Sequence, residues 1–252
     1  MKALTVLCLT PVVGWLASAA TPSFVQGTAY LDDTFQATAV SAVFASTPRP
    51  GNAIIVGCMG DGGSKTFRPD GVSDNQGNIY TQVVFQNYVG SGQPTALYIA
   101  TNIISDGQFV VTCSGIDQPD AINLFAVEYS GLAADVALDS ANPGEAQSGG
   151  YPRTCGSITT SGPYDLIVAF FNNDGRDSPA GIQPAEGFTV LDCAGGTNSK
   201  CASQDGSHYQ LGVLAAAVAE SAGTYTPGFT AGPAGSGSQS ICVVAAFKAA
   251  VY

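Results

Sequence analysis

Short apolar runs with the character of β-strands recur along most of this 252-residue chain, and the one around which the others are arranged lies between Ala121 and Leu132. A period of two is typical of β-strands, in which successive side chains point to opposite faces. One face of this run carries Ile122, Leu124, Ala126 and Glu128, and the other carries Asn123, Phe125, Val127 and Tyr129. Because both faces are mostly apolar, we expect a strand that is covered on both sides.

Glu128 is the exception on its face. An unpaired buried charge is costly, so we expect this carboxylate to reach the rim of the sheet or to be hydrogen-bonded. A catalytic or metal-binding carboxylate is the alternative interpretation.

Further runs of the same kind occur before and after this strand, separated by Gly-, Pro- and Asn-rich turns every 8 to 15 residues. They predict an all-β fold, a disulfide-stapled antiparallel β-sandwich of the jelly-roll or lectin-like type with roughly a dozen strands. Residues 211–220 are rich in alanine and favour a helix by local propensity, but their neighbours are strands, so we predict a strand. Asp135 to Gly150 is expected to be a long connection. No internal repeat is evident.

The first 20 residues have the features of a secretory signal peptide. Lys2 gives a positive start, Ala3 to Leu16 is apolar, and small residues follow at Ala17 to Ala20. We therefore predict a signal peptide at 1–20 and a single β-sandwich domain at 21–252, secreted and extracellular. No later run is long and apolar enough to predict a transmembrane segment.

Charge is sparse and acidic, with 8 basic and 19 acidic side chains and a formal net charge of −11 at pH 7. Such a balance argues against nucleic acid as a partner. Cations, neutral glycans, a basic partner and self-association remain open as alternatives.

Six cysteines follow the signal peptide, and an even number in an exported protein predicts up to three disulfides. Cys193 and Cys201 are close in sequence, and we pair them. The other four allow three pairings, of which Cys58–Cys113 and Cys155–Cys242 are the ones we put forward. The spacing fits no zinc site.

Several short motifs together resemble a group of secreted bacterial β-sandwich domains found in extracellular or surface-associated proteins. The motifs are Pro50-Gly-Asn-Ala-Ile-Ile-Val56, Val72-Ser-Asp-Asn-Gln-Gly-Asn-Ile-Tyr80, Leu97-Tyr-Ile-Ala-Thr-Asn102, Ala126-Val-Glu-Tyr-Ser-Gly-Leu132, Asp165-Leu-Ile-Val168 and Gly187-Phe-Thr189. The resemblance spans about residues 24–248 and implies the fold. It implies no activity and no catalytic residues.

Calcium is the one cofactor that the sequence suggests. Asp61, Asp70 and Asp74, with Asn75 and Asn78, lie in two neighbouring loops and offer the oxygen ligands that Ca²⁺ prefers. Asp and Asn are also common turn residues, which is the alternative.

Tyrosines could bind carbohydrate by stacking on a sugar ring, or could instead be packed in the core. The candidates are Tyr80, Tyr88, Tyr98, Tyr129, Tyr151, Tyr164, Tyr209 and Tyr225.

Catalysis has little support. The only histidine is His208, near Asp205, and no Gly-x-Ser-x-Gly motif occurs. Glycoside hydrolysis would need two of the glutamates Glu128, Glu145, Glu186 and Glu220 to converge in a cleft. The sequence therefore predicts a secreted non-catalytic module for adhesion, surface or filament assembly, or ligand binding, with a detachable strand near Phe24 to Thr34 as one route to assembly. A carbohydrate-binding module and a secreted glycoside hydrolase are the alternatives.

Overall fold

The structure is a computed structural model, and it describes residues 19–32, 36–61, 67–68, 70–88, 93–115, 121–135, 137–144, 147, 151–174, 182–193, 201, 210–230 and 239–251. Every regular element in these ranges is a β-strand, which confirms the all-β prediction. Among these described residues eighteen strands occur rather than about a dozen, because several are only two or three residues long. The described residues contain no helix that is long and apolar enough to cross a membrane.

The described residues of the N-terminal half, which spans 19–134, form eight strands: β1 (Ser23–Leu31), β2 (Val40–Val43), β3 (Ala53–Asp61), β4 (Val72–Asp74), β5 (Thr81–Tyr88), β6 (Gln93–Ala100), β7 (Val110–Cys113) and β8 (Ala121–Ser130). Five of them form an antiparallel sheet in the order β1-β8-β3-β6-β5. The other three form a smaller sheet in the order β2-β7-β4.

In the C-terminal half, which spans 135–251, the part of the chain that the structure describes forms ten strands: β9 (Leu138–Asn142), β10 (Arg153–Thr154), β11 (Ile158–Thr160), β12 (Leu166–Asp174), β13 (Gln183–Pro184), β14 (Thr189–Val190), β15 (Gln210–Val218), β16 (Gly223–Tyr225), β17 (Gly228–Thr230) and β18 (Gln239–Phe247). Its large sheet has the order β14-β15-β12-β18-β9, and two small sheets, β11-β16 and β10-β17-β13, lie outside it. The segment Asp135 to Gly150, predicted to be a long connection, contains the strand β9.

The two large sheets are copies of one arrangement. The strand order is the same in both sheets when each strand is matched to a counterpart. The counterparts of β1, β8, β3, β6 and β5 are, in that order, β9, β18, β12, β15 and β14. The edge strands β1 and β9 carry a register irregularity at the same place, one extra residue each at Val25 and Asp139. The interpretation that the chain lacks an internal repeat was therefore wrong at the level of structure.

The turn before the central strand is also repeated. Pro50-Gly51 precedes β3 and Pro163-Tyr164 precedes β12, and the residue after each proline has a positive φ, 87° for Gly51 and 66° for Tyr164. Gly51 N–H donates to Ile103 O and Ile103 N–H to Asn52 O. In the C-terminal half, Tyr164 N–H donates to Ala219 O and Ala219 N–H to Asp165 O. This pair of bonds fixes the alignment of the halves, with Asn52 equivalent to Asp165.

Three layers of apolar side chains separate the sheets. The strand predicted to be covered on both sides is β8, and its two faces enter different cores, as expected. Ile122, Leu124 and Ala126 pack against the small N-terminal sheet. Phe125, Val127 and Tyr129 pack against the large sheet of the other half. A third core lies between the large C-terminal sheet and its outer strands.

The two large sheets pack face to face with their central strands opposed. A Cβ on Gly57 of β3 would lie 3.0 Å from the Phe170 ring of β12. Further along the same strands, Asn172 Nδ2 lies 3.5 Å from Gly60 O. The two central strands therefore run in the same direction, as a two-fold axis parallel to them requires.

Three disulfides link Cys58 to Cys113, Cys155 to Cys242 and Cys193 to Cys201. These are the pairs put forward from the sequence. The first lies within the N-terminal half and the other two within the C-terminal half, so no disulfide joins the halves.

The Ala-rich segment at 211–220 is the strand β15 up to Val218, as predicted. The segment suspected of being detachable, Phe24 to Thr34, contains β1, which is paired with β8 along its length. Residues 33–35 lie outside the described residues. Near the chain ends, Ala20 N–H donates to Ala250 O at 2.7 Å, and Ala19 forms a bridge with Val251. Of the predicted signal peptide, residues 1–18 lie outside the described residues.

Candidate ligand-binding grooves

The turn Ser73 to Tyr80 is closed by the carboxylate of Asp74. Its Oδ1 accepts hydrogen bonds from the N–H groups of Gln76 (2.9 Å) and Asn78 (3.1 Å). Its Oδ2 accepts from Asn78 Nδ2 and the Tyr80 hydroxyl, both at 2.9 Å. Burial raises the pKa of Tyr80, and the charge of Asp74 and this hydrogen bond raise it further. Asp74 thus acts as a turn residue, which was the alternative to its role as a metal ligand.

Three amide side chains of the same turn cross to the loop that precedes β7. Asn78 Nδ2 donates to Ile104 O and Asn78 Oδ1 accepts from Ile104 N–H, both at 2.8 Å. Asn75 makes a similar pair of bonds with Gln108 O and Val110 N–H. Gln76 Oε1 accepts from the N–H of Asp106. The turn and the loop are therefore one rigid unit.

This unit presents two apolar side chains to solvent. Ile79 is 87% exposed and Ile104 is 61% exposed. Asn78 joins the two backbones, so the isoleucines are held side by side. An exposed apolar pair on a rigid support is unusual for a turn built from polar residues, since it contributes nothing to the core.

The isoleucines border a groove of about 500 Å³, here called the Ile79 groove, between the start of β5 and the start of β9. Asn78, Thr81, Thr101 and Asn102 contribute amide and hydroxyl groups, and Asp135 contributes a carboxylate. No basic side chain is among the described residues that line it. Its volume and mixed lining are within the range of small-molecule sites.

A second groove, of about 330 Å³ and here called the Phe24 groove, lies between β1 and the β14–β15 pair. Phe24 and Tyr129 line it from the N-terminal half, with their rings edge to face at 5.8 Å. Thr189, Asp192 and Val218 line it from the other half. Burial raises the pKa of Tyr129, so its hydroxyl stays neutral. Here too the described lining contains one carboxylate and no basic residue.

The two grooves occupy equivalent places in the two halves. The register of the sheets makes Ile99 equivalent to Ala216, Thr101 to Val218 and Leu138 to Phe24, and each of these residues lines its groove. Gly77 and Gly187, with φ of 82° and 85°, open the turn beside each groove. Both grooves therefore lie at the end of the molecule where β3 and β12 begin, on opposite sides of the two-fold axis.

The predicted calcium ligands are not gathered around any described site. Asp70 is exposed in a turn, Asp74 closes its own turn, and the Asp61 side chain lies outside the described residues. No group of three or more His, Cys, Asp or Glu that could hold a metal occurs in the described part of the chain. The calcium site stays a prediction.

Glu128 is fully buried and hydrogen-bonded, as expected from its place on an apolar face. Its Oε1 accepts from Arg49 N–H at 2.8 Å and from Asn52 Nδ2 at 2.6 Å, and its Oε2 accepts from Gln26 Nε2 at 2.7 Å. The carboxylate therefore holds the turn that begins β3. Glu186 and Glu220 are exposed on the C-terminal half, and Glu145 lies outside the described residues. None of the described glutamates lines either groove.

A carboxyl pair that the sequence analysis missed lies in the C-terminal half. Asp139 accepts from Ser161 N–H (2.5 Å) and Oγ (2.6 Å), and Lys248 Nζ lies 3.8 Å from its Oδ1. Asp165 accepts from Gly162 N–H and Ala249 N–H. The two acids are far apart in sequence, so only the register of β9 with β18 could have revealed the pair.

The pKa values of these two acids are shifted in opposite directions. Burial raises the pKa of Asp139, but the hydrogen bonds from Ser161 and Asp165 and the charge of Lys248 outweigh burial and hold the pKa below its ordinary value. For Asp165, burial and the charge of Asp139 raise the pKa despite its two backbone hydrogen bonds. Neither acid lines a groove. Both therefore act on the fold, because each binds the backbone of a neighbouring segment.

Most of the candidate tyrosines belong to the cores. Tyr80, Tyr98 and Tyr129 are buried, and Tyr151 and Tyr225 are partly buried against the third core. Tyr164 is 41% exposed. The side chains of Tyr88 and Tyr209, like Asp205 and His208, lie outside the described residues.

No protein-family model, curated protein or solved structure matches this chain.

Proposed function

We propose that this chain is an exported, non-catalytic module that attaches to neutral, hydroxyl-rich polymers, with glycans as the ligand class. The observation that carries the proposal is the Ile79 groove. Ile79 and Ile104 offer a fixed apolar surface for the C–H face of a sugar, and Thr81, Asn102 and Asp135 offer hydrogen-bonding groups beside it. A site that combines apolar surface with a few polar groups fixes both affinity and orientation.

Export is supported by the disulfides, since such bonds persist in oxidising compartments. The signal-peptide pattern at 1–20 and the resemblance to secreted bacterial domains point the same way. Both grooves contain a carboxylate, and no described lining residue is basic. Together with the net charge of −11, this favours a neutral ligand over an anionic one.

The test is retention of the oxidised protein, residues 21–252, on insoluble cellulose, chitin and xylan, with and without EDTA. We expect retention on at least one polymer, and the variant Ile79→Ser/Ile104→Ser should lower the affinity about tenfold or more, since losing a buried apolar side chain costs about 1.5–3 kcal/mol. Val43→Ser is the matched control, because Val43 is 42% exposed on β2 and lines neither groove.

Absence of retention on every polymer, or equal retention of the Ile79→Ser/Ile104→Ser variant and the wild type, would overturn the proposal. Loss of retention with EDTA would assign a cation, with Asp61, Asp70 and Asp74 as the first residues to replace.

Self-association is a second candidate, favoured by the edge strands. β1 is paired on one side only among the described strands and exposes Val25 (40%) and Tyr30 (46%). Such an edge can add a strand from another molecule. Size-exclusion chromatography with light scattering, and electron microscopy for fibres, test it. A monodisperse monomer at high concentration, without fibres, excludes this candidate.

A further inference from the structure

Around the central strands β3 and β12, the contact between the two halves has the form of a two-fold homodimer interface, although β18 lies closer to β6 than β8 lies to β15, the counterpart of β6. In such an interface, if residue i contacts residue j of the partner, then j also contacts i of the partner. We infer that the inner face of each large sheet is a self-complementary interaction surface whose partner is another unit of the same fold, and that the two halves associate without needing the peptide that joins them.

The first evidence is a contact that the symmetry repeats. Met59 pairs with Thr95 across β3 and β6, and Asn172 pairs with Gly212 across β12 and β15. The alignment of the central strands makes Met59 equivalent to Asn172, and therefore Thr95 to Gly212. A Cβ on Gly212 would collide with Met59 Sδ, so these two residues are in contact. The equivalent pair, Asn172 and Thr95, is joined by a hydrogen bond of 2.9 Å.

A second contact, between Gly57 and Phe170, lies on the two-fold axis itself. A residue on a two-fold axis meets its own counterpart. Gly57 and Phe170 are equivalent in the alignment of β3 with β12, and the ring of Phe170 lies against the Gly57 backbone. A large side chain fills the place that its counterpart leaves empty, so one pair of equivalent positions packs without a void.

The third evidence is the covalent structure. Each disulfide closes within one half. The covalent link between the halves is the backbone around residues 131–137, and backbone hydrogen bonds such as that from Ala20 N–H to Ala250 O add to it. Their shared core is apolar and contains buried side chains from both sheets, such as Phe125 and Phe170, whose rings lie 5.6 Å apart. Homodimer interfaces are similarly apolar. Burial of this core, rather than the connection, holds the halves together.

The experiment is to insert a site-specific protease sequence between Ala134 and Asp135, which are both exposed, and to cut the folded chain. At about 1 µM, where a weak complex would separate, we expect one particle of full-chain mass and an unchanged circular dichroism spectrum. Under denaturing, non-reducing conditions the two fragments should separate, since no disulfide joins them. Uncut protein of the same sequence is the control.

An interface variant sharpens the test. In the cut protein Gly212→Met should lower the association of the fragments at least tenfold, because its side chain would displace Met59 and Phe125. Gly223→Met is the matched control, since a Cβ there would meet only the Tyr225 ring, at 4.0 Å. Separation or unfolding of the cut wild-type protein, or equal association of the Gly212→Met and control proteins, would overturn the inference.

A circular permutant covers the case in which the insertion prevents folding. The pairing of Ala20 with Ala250 places the two ends of the fold together. A chain that begins at Asp135, joins Val251 to Ala19 by a short Gly/Ser linker and ends at Ala134 should fold as a monomer. Its failure to fold would overturn the inference. The result is independent of the polymer-binding test, which concerns the grooves alone.

Discussion

Glu128 and Asp165 perform the same task in the two halves, although they come from different strands. Each carboxylate accepts the backbone N–H of the residue before the turn proline, from Arg49 in one half and from Gly162 in the other. Both carboxylates are buried, with exposures of 0% for Glu128 and 3% for Asp165, and a buried carboxylate is costly unless it is hydrogen-bonded. The N–H groups before the two turns therefore supply donors that the two acids need.

Replacing Glu128 with Ala should lower the free energy of unfolding by about 2–4 kcal/mol, since three donors lose a charged acceptor. Glu128→Gln keeps one acceptor oxygen and should cost less. Urea unfolding followed by circular dichroism measures both. Glu220→Ala, at an exposed position, is the control, and a Glu128→Ala protein as stable as that control would contradict the assigned role.

Asp139 should make stability depend on pH. Because its pKa is lowered in the folded protein, its contribution is fully present above the unfolded-state pKa of about 3.9 and is lost as pH falls through the lower, folded value. We expect Asp139→Asn to be less stable than the wild type by about 1–2 kcal/mol at pH 7, with the difference narrowing below about pH 4.

Asp165 should make the free energy of unfolding depend on pH in the opposite direction. Its raised pKa favours folding most strongly below the unfolded-state pKa, and this contribution is lost as pH rises through the folded value. Unfolding curves of Asp139→Asn and Asp165→Asn between pH 2 and pH 7 separate the two effects. Constant differences from the wild type across that range would show that neither acid titrates as described.

Residue patterns predicted some of these roles. The position of Glu128 on an apolar face indicated a hydrogen-bonded carboxylate, because burial alone demands it. The pairing of Asp139 with Asp165 could not be predicted, since it depends on which strands are neighbours. The sequence indicated a turn around Ile79, but that this side chain is 87% exposed beside Ile104 follows only from the structure.

At the scale of elements, the strand character of the neighbouring segments correctly predicted a strand at residues 211–220 against local helix propensity. The segment Gly212 to Val218 contains three consecutive alanines and still forms β15, because it is paired on one side with β12 and on the other with β14. Tertiary pairing outweighs the helix preference of alanine, which is a few tenths of a kcal/mol per residue.

Small side chains at the sheet contact are required by close approach. Gly212→Ala should lower the free energy of unfolding by about 1–3 kcal/mol, because its Cβ would lie 2.7 Å from Phe125 Cε2. Thermal unfolding measures the change, and Gly223→Ala, in open space, should be close to neutral. Equal effects of the two substitutions would mean that the sheets yield at this contact.

The repeat escaped sequence analysis because equivalent positions exchange size and polarity. Gly57 corresponds to Phe170 and Met59 to Asn172. At each such pair a larger residue in one half packs against a smaller residue in the other half. The residues therefore differ although the backbone arrangement is the same. Strand order and hydrogen-bond register keep the signal that residue identity has lost.

At the scale of the whole molecule, the two-fold arrangement places both grooves at one end. Length, turn spacing and cysteine content predicted a disulfide-linked all-β chain, but not its four layers of sheets. β8 and β12 are each apolar on both faces. This pattern indicates that both faces are covered, but it does not indicate that the two large sheets cover each other. The strands of a four-layer arrangement can therefore have the same pattern of apolar and polar residues as the strands of a two-layer β-sandwich.

The closure of each disulfide within one half also sets how the molecule yields to a pulling force. The bonds Cys58–Cys113 and Cys155–Cys242 enclose sequence separations of 55 and 87 residues. At ~3.4 Å per extended residue, roughly 190 and 300 Å of chain cannot be drawn out while the bonds are intact. Single-molecule stretching should show these lengths released only after reduction, in two separate steps, one for each half. A molecule tethered at both ends would therefore extend less under force in oxidising surroundings than in reducing surroundings.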